Sequence, residues 1–204
     1  MGGTARLRLP LAPVTEEILA CRICADALPH EPRPVLRVDA HARILIVGQA
    51  PGSKVHESGV PWQDASGDHL LEWLGVDRPT FEDARNFAIV PMGFCWPGRR
   101  SGGDLPPRPE CAPRWHPPLL SALPHIELEL LVGSYAQQHY LPELARRTAT
   151  ERIRDWRSHL PRRFLLPHPS WRSRRWMTQH PWFEAQLLPE LRRRVASVVN
   201  APHR

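Results

Sequence analysis

Residues 43–52 read RILIVGQAPG, a short apolar run that ends in a turn rich in glycine and proline. A run this short and this apolar is typical of a strand that is covered on both faces of a parallel sheet. Three more runs share these properties and lie at residues 87–93, 127–133 and 163–167. The sequence therefore predicts four buried strands.

Helical patterns lie between and after these strands. Apolar residues at helical spacing predict helices at residues 66–74, 114–123, 134–147 and 181–199, with residues 150–159 continuing the third. Strands that alternate with helices indicate an α/β protein, and we predict a three-layer α/β/α sandwich with a central, mainly parallel four-stranded sheet. The stretch at residues 96–118, rich in Pro and Gly, is predicted to be a long ordered loop.

Length and composition favour one soluble domain. The chain has 204 residues, 42% hydrophobic and 24% charged, and no apolar stretch of membrane-spanning length. We predict a single domain over residues 1–204, with residues 1–15 flexible, that acts as a monomer without a membrane partner. The N-terminal apolar stretch is short and broken by Pro10 and Pro13, which is not typical of a signal peptide, so we expect a cytoplasmic location.

The charge balance indicates the class of partner. The formal net charge is +6, and nearly all of the positive charge is arginine, because Lys54 is the only lysine. A GC-rich genome would explain the preference for arginine but not the positive sign. A basic surface attracts phosphate, so a nucleic acid is the predicted partner.

Four cysteines, Cys21, Cys24, Cys95 and Cys111, are the only ones in the chain. The first two form a CxxC pair, and fifteen residues rich in Pro and Gly separate the other two. Thiolates select zinc or iron–sulfur clusters, and a cytoplasmic location disfavours structural disulfides. We predict one metal site that uses all four cysteines, with four unrelated buried thiols as the alternative. Spacing does not distinguish Zn²⁺ from a [4Fe–4S] cluster, because four cysteines satisfy both.

The turn at residues 48–52 follows the first strand, and open α/β sheets bind ligands beyond the carboxyl ends of their strands. An ordinary strand-to-loop turn would contain the same Gly and Pro, so the neighbouring segments decide. GVPW follows at residues 59–62 and DASGD at residues 64–68, and HPS at residues 168–170 follows the fourth strand.

Together these segments resemble the motifs of the uracil-DNA glycosylase superfamily, and within it the iron–sulfur branches, families 4 and 5. GQAPG resembles the GEAPG motif of family 4, with Gln49 replacing Glu, while GVPW resembles GRPF and HPS looks like the second motif. The order of the cysteines is similar to that of the cluster ligands in both branches. The resemblance covers most of the chain, from Cys21 to the C-terminal helix, and implies a [4Fe–4S] cluster.

The resemblance also implies an activity: hydrolysis of the N-glycosidic bond of uracil or a related deaminated base that is flipped out of DNA. Trp62 is expected to stack on that base, and His168 to donate a hydrogen bond to the O2 atom of the leaving base. Gln49 is assigned to catalysis and base binding. Ala50 and Pro91 are assigned to the base pocket, and Gly52 and Ser170 to contacts with DNA.

Two further positions, Ala50 and Pro91, depart from the family patterns. Ala50 stands where family 1 enzymes carry a catalytic Asp. Asp64 opens DASGD, which looks like the DRSGD segment of family 5, so we predict that Asp64 orients water or stabilises a cationic sugar, with a helix N-cap as the alternative. Pro91 stands where family 4 carries an Asn that recognises uracil. We therefore expect Gln49 or the main chain near Pro91 to recognise the base, or a relaxed preference that includes hypoxanthine and xanthine.

Residues 171–176, WRSRRW, combine aromatic and basic side chains directly after the second motif. By the resemblance, Trp171 or Arg172 is the wedge that enters the minor groove, and Arg174 and Arg175 contact phosphates. The alternative is a basic turn whose tryptophans pack on the final helix. For the whole protein, the competing predictions are a catalytically silent protein that binds damaged DNA and a four-cysteine zinc protein that binds nucleic acid.

Overall fold

A computed structural model of the protein describes residues 10–202. In this range the strands are β1 (Ile44–Val47), β2 (Phe87–Ile89), β3 (Arg99–Arg100), β4 (Gly103–Asp104), β5 (Leu128–Val132) and β6 (Arg163–Leu166). The helices are α1 (Leu11–Leu19), α2 (Ser53–Ser58), α3 (Ala65–Leu74), α4 (Arg78–Glu82), α5 (Cys111–Ser121), α6 (Ser134–Tyr140), α7 (Ala149–Arg154), α8 (Trp171–Gln179) and α9 (Leu188–Val199).

Four strands form the central sheet in the order β2-β1-β5-β6, and every neighbouring pair is parallel. In the register of the central pair, Ile44 lies opposite Leu128 and Val47 opposite Leu131. Almost every side chain of these strands is buried because helices flank the sheet, which is why the strands are apolar at successive positions. The predicted α/β fold with a four-stranded parallel sheet is confirmed.

The region after β5 differs from the single long helix predicted there. Helix α6 ends at Tyr140, and a short 3-10 turn follows at Pro142–Leu144. Helix α7 then begins anew, because Thr148 and Glu151 form a reciprocal capping box at its first turn. The prediction of a continuous helix over residues 134–147 and onward was wrong because capping residues start a separate element.

Two other predictions are corrected in the described range. Residues 11–15, expected to be flexible, belong to α1, which buries Val14 and Ile18 against the core; residues 1–9 lie outside the described part. The predicted loop at residues 96–118 contains a small antiparallel hairpin, β3–β4, and ends at Cys111, where α5 begins. No helix within residues 10–202 is long and apolar enough to cross a bilayer.

The strand order predicts a ligand site at the edge of the sheet where the parallel strands have their carboxyl ends. The chain leaves β1 toward β2 on one side, while β5 lies on the other side, so the direction of winding reverses at β1. Ligand sites of open α/β sheets lie in the crevice at such a point. The segments at residues 48–52, 90–92 and 167–170 all lie at this edge, because each follows the carboxyl end of a sheet strand.

Candidate active site

A cavity of about 110 Å³ opens at this edge of the sheet. Its walls come from the turn after β1 and from the segment before α3. Pro91, which follows β2, and His168, which follows β6, complete them. The predicted site residues that line it together are Gln49, Ala50, Gly52, Trp62, Asp64, Pro91 and His168. The cavity thus unites motifs that are separated by more than one hundred residues of sequence.

Trp62 forms one wall of the cavity with a strained backbone. Its φ angle is 59°, a left-handed value that non-glycine residues rarely adopt. A Cβ atom at Gly48 would lie 3.0 Å from Cζ2 of the indole, and one at Gly67 would lie 1.8 Å from the Trp62 carbonyl oxygen. Both glycines are therefore required for this position of Trp62, and Gly67 explains the glycine of the DASGD segment.

His168 forms the facing wall, with its ring centroid 6.1 Å from that of Trp62. Burial lowers the pKa of His168, and the charges of Asp64 and Asp104 offset part of that shift. The imidazole is therefore neutral at pH 7. Across residues 10–202 the ring makes no hydrogen bond with another side chain or with the main chain, so its N–H is free to donate to a ligand in the cavity.

Asp64 divides its two carboxylate oxygens between the helix and the cavity. It is the N-cap of α3, and its Oδ1 accepts a hydrogen bond of 2.8 Å from the Gly67 amide. Its Oδ2 faces Gly52, at 3.8 Å from the position of a Cβ atom there. Asp64 is therefore a helix N-cap, as the alternative prediction had it, and its second carboxylate oxygen is still directed at the cavity.

Asp104, in β4, is a residue of the cavity wall that sequence reasoning missed. Its Oδ1 accepts a hydrogen bond of 3.2 Å from Nε1 of Trp96, and its Oδ2 lies 3.6 Å from the Cβ position of Gly52. In the sequence, the Gly102-Gly103 pair before Asp104 predicts a turn but gives no sign of a site residue. No local pattern shows that the hairpin reaches the turn after β1.

The main chain at Pro91 is held by a buried histidine. His116 Nε2 lies 3.0 Å from the Pro91 carbonyl oxygen, and Nδ1 lies 2.6 Å from the Tyr140 hydroxyl. Because a carbonyl can only accept, Nε2 carries the proton and Tyr140 donates to Nδ1. Burial lowers the pKa of His116 to about 4, which keeps it neutral. Gln49 is held less firmly, since its Nε2 is 3.5 Å from the Leu105 carbonyl oxygen.

The family comparison covers all of these residues. The sequence model described as the Uracil DNA glycosylase superfamily matches residues 37–192, more than half of the chain. The chain belongs to the uracil-DNA glycosylase superfamily. Membership indicates a hydrolytic function of the DNA glycosylase type and DNA as the partner. Cys21 and Cys24 precede the matched range, so the match supports the superfamily without distinguishing its branches.

Helix α8 of this glycosylase-superfamily chain begins at the edge of the cavity. Trp171 is its first residue and is 76% exposed. Arg172 is engaged within the protein, because its Nη2 donates a 2.6 Å hydrogen bond to the Gly102 carbonyl. Arg174 and Arg175 are exposed and form no ion pair within the described range.

The second tryptophan of this segment is structural. Trp176 is partly buried, and its Nε1 donates a 2.8 Å hydrogen bond to Oγ1 of Thr150. Its ring also packs edge-on against Trp182 and Phe183. Trp176 thus packs on the segment before α9, while no ring contact joins the exposed Trp171 to Trp182 or Phe183 within residues 10–202.

The four cysteines line a second cavity, between α1, α5 and the segment after β2. All four are free thiols, and burial raises the pKa of Cys95 to about 11 and that of Cys111 to about 12. The Phe94 amide donates to Sγ of Cys111 at 3.4 Å. Within residues 10–202, no group of three or more Cys, His, Asp or Glu side chains is placed to hold one metal ion.

Proposed function

We propose that the protein is a DNA glycosylase that hydrolyses the N-glycosidic bond of uracil or a related deaminated base. The observation that carries this proposal is one cavity in which an indole face, a neutral imidazole and a carboxylate oxygen converge. A cavity of about 150 Å³ holds one benzene ring, so the 110 Å³ found here, open on one side, is of the right order for a single base.

Each wall has a task in the proposed reaction. The flipped base stacks on Trp62, and base–aromatic stacking contributes roughly 1–3 kcal/mol. As the glycosidic bond breaks, its electron pair moves to the base, and the N–H of the neutral His168 donates to the oxygen that gains negative charge. The negative charge of Asp64 stabilises the sugar, which gains oxocarbenium character.

The base pocket supports a relaxed substrate preference. Pro91 offers no side-chain amide, and its carbonyl already accepts a hydrogen bond from His116. The side-chain amide that lines the cavity is that of Gln49, which is held only at the outer limit of hydrogen-bond distance. We therefore assign base recognition to Gln49 and expect hypoxanthine, xanthine or both to be released as well as uracil, in keeping with the broader family 5 branch that the sequence resembles.

The first experiment measures base release directly. Excess protein is incubated with duplex and single-stranded oligonucleotides that hold one uracil, hypoxanthine or xanthine, and alkali then cleaves the strand at abasic sites. We expect strand cleavage with uracil and with at least one of the other two bases. Intact strands with all three bases would instead support a silent protein that binds damaged DNA.

Asp64→Asn isolates the charge of the proposed catalytic carboxylate. Asn is as good an N-cap as Asp, so α3 keeps its cap while the negative charge is lost. We expect the single-turnover rate to fall by about 10²–10⁴-fold with little change in DNA affinity. Asp77→Asn is the matched control, because Asp77 caps α4 in the same way but lies outside the cavity. Equal rates for the wild type and Asp64→Asn would remove Asp64 from the mechanism.

The donor set of the second cavity fits a [4Fe–4S] cluster, which we propose is held by Cys21, Cys24, Cys95 and Cys111. Four free thiols share an otherwise mainly apolar cavity. A single zinc ion needs all four sulfurs at about 2.3 Å from one point, whereas a cluster offers each cysteine its own iron. Four thiols around one cavity match the four protein ligands of such a cluster, and the resemblance to the iron–sulfur branches favours it over zinc. Its role is structural, joining α1 to the segment after β2 and to α5.

Metal analysis tests the cluster. We expect purified protein to contain iron and acid-labile sulfide, and Cys95→Ala to lose both together with solubility. Ile23→Ala is the control, because Ile23 is an exposed residue between the first two cysteines and contributes no thiol. Stoichiometric zinc without iron would overturn the cluster in favour of the zinc alternative.

A further inference from the structure

We propose that Asp104 is a second catalytic carboxylate of this site and acts together with Asp64 on the attacking water and the sugar. The inference rests on the proposed glycosylase function and adds a residue to it. Asp104 lies on the β3–β4 hairpin and lines the same cavity as Asp64. It has no counterpart among the motifs that the sequence resembles.

The two carboxylates are presented in the same way. In each, Oδ1 is held by a donor of the protein, the Gly67 amide for Asp64 and the Trp96 indole for Asp104. In each, Oδ2 faces the space beside Gly52, where a Cβ atom would lie 3.8 Å and 3.6 Å from the two oxygens. Because residue 52 is glycine, this space is open, and a water molecule there can contact both carboxylates.

The hairpin that carries Asp104 is tied to the helix that follows His168. Arg172 of α8 donates to the Gly102 carbonyl at the hairpin tip. Gly102 and Gly103 have φ angles of 105° and 149°, values that strongly favour glycine and allow this tight turn. Asp104 is therefore fixed relative to the imidazole. The same proximity appears in the pKa of His168, which the charge of Asp104 raises against the larger effect of burial.

The chemistry assigns a separate task to each carboxylate. The water oxygen forms a bond to C1′ while the bond from C1′ to the base breaks, and the electron pair of that bond leaves with the base. Asp104, the more exposed of the two, takes the proton from the water and returns it to solvent. The negative charge of Asp64, together with that of Asp104 before it takes the proton, balances the positive charge of the sugar. The base leaves as an anion that accepts the hydrogen bond from His168 and then takes up a proton from solvent, so the products are the abasic sugar and the free base.

Asp104→Asn tests this assignment, because Asn keeps an acceptor for Trp96 and removes only the charge. We expect the single-turnover rate of uracil release to fall by about 100-fold, with unchanged affinity for the uracil oligonucleotide and unchanged thermal stability. Asp77→Asn serves again as the control for loss of one negative charge. Trp96→Phe keeps an aromatic ring and the Asp104 carboxylate but removes the indole N–H that holds Oδ1, so we expect a smaller fall.

A second measurement separates a catalytic from a structural role. Oligonucleotides with a cationic pyrrolidine in place of the sugar mimic the charge of the transition state, and those with a neutral tetrahydrofuran do not. Wild type is expected to bind the cationic analogue more tightly, and Asp104→Asn to lose about tenfold of that preference.

The outcomes distinguish the two proposals. If wild type releases none of the three bases, the glycosylase function is overturned, and the role of Asp104 with it. If wild type releases uracil while Asp104→Asn keeps both the full rate and the full preference for the cationic analogue, only the role of Asp104 is overturned.

Discussion

Gly48 decides where the indole of Trp62 lies. The two residues are fourteen positions apart in sequence, yet a methyl group on Gly48 would meet Cζ2 of Trp62 at 3.0 Å. Contacts this short are rare between real side chains, so the ring would have to shift by a few tenths of an ångström. The glycine therefore sets the width of the base pocket as well as the shape of the turn after β1.

Gly48→Ala should weaken base stacking without unfolding the protein. We expect up to about a tenfold loss in affinity for an oligonucleotide with one uracil, a part of the full stacking energy. Trp62→Phe has a smaller ring and leaves room for the added methyl group. The same Gly48→Ala change should therefore cost less in the Trp62→Phe background, and equal costs in both backgrounds would contradict the proposed contact.

At the scale of elements, the short helix α8 serves two surfaces of the molecule. All three arginines are exposed, but Arg172 donates a hydrogen bond to the hairpin, whereas Arg174 and Arg175 form no ion pair within residues 10–202. The hairpin itself exposes Arg99 and Arg100 beside α8. The sequence shows only a run of basic residues. The direction in which each arginine side chain points depends on its position around helix α8.

The salt dependence of DNA binding should separate these arginines. For Arg174→Ala with Arg175→Ala, we expect the slope of log affinity against log salt concentration to decrease by about 1.8, because two phosphate contacts are lost. Arg172→Ala should leave the slope unchanged and lower the cleavage rate, since it releases the hairpin that carries Asp104. A changed slope in Arg172→Ala alone would reverse the two assignments.

Across the whole molecule, acid should weaken the fold through His116. Its pKa is about 4 in the folded protein against a usual 6.5, so the unfolded chain takes up a proton first as pH falls. Stability contributed by the neutral imidazole is complete above pH 6.5 and is lost between pH 6.5 and about 4. The loss attributable to this residue is about 3 kcal/mol.

Denaturant unfolding at several pH values checks this linkage. His116→Gln cannot titrate but can still hydrogen-bond, so its stability should depend less on pH in that window than the stability of wild type. His125→Gln, which changes an exposed histidine, should follow the wild-type curve. Identical curves for wild type and His116→Gln would show that His116 does not control the acid sensitivity.

The sequence allowed some of this structure to be predicted and not the rest, for physical reasons. The four sheet strands could be predicted because burial on both faces requires apolar side chains at every position. The sequence did not predict α2, α4, α8 or the hairpin, because these elements are short or polar and depend on distant contacts. One such contact is the hydrogen bond from Arg172 to the Gly102 carbonyl of the hairpin. Motifs located Trp62, Asp64 and His168, whereas Asp104 and His116 reach the site only through tertiary contacts.

The loop that bears Asp104 starts at one cysteine of the thiol-lined cavity, Cys95, and ends at another, Cys111. Any group bound by both thiols would turn these residues from an open stretch into a ring, and closing a ring of about fifteen residues removes roughly 3 kcal/mol of chain entropy from its disordered states. Asp104 lies within this ring. If the four cysteines hold the proposed cluster, its loss would release the loop that places Asp104 beside Gly52, so we expect cofactor content and catalytic rate to rise and fall together.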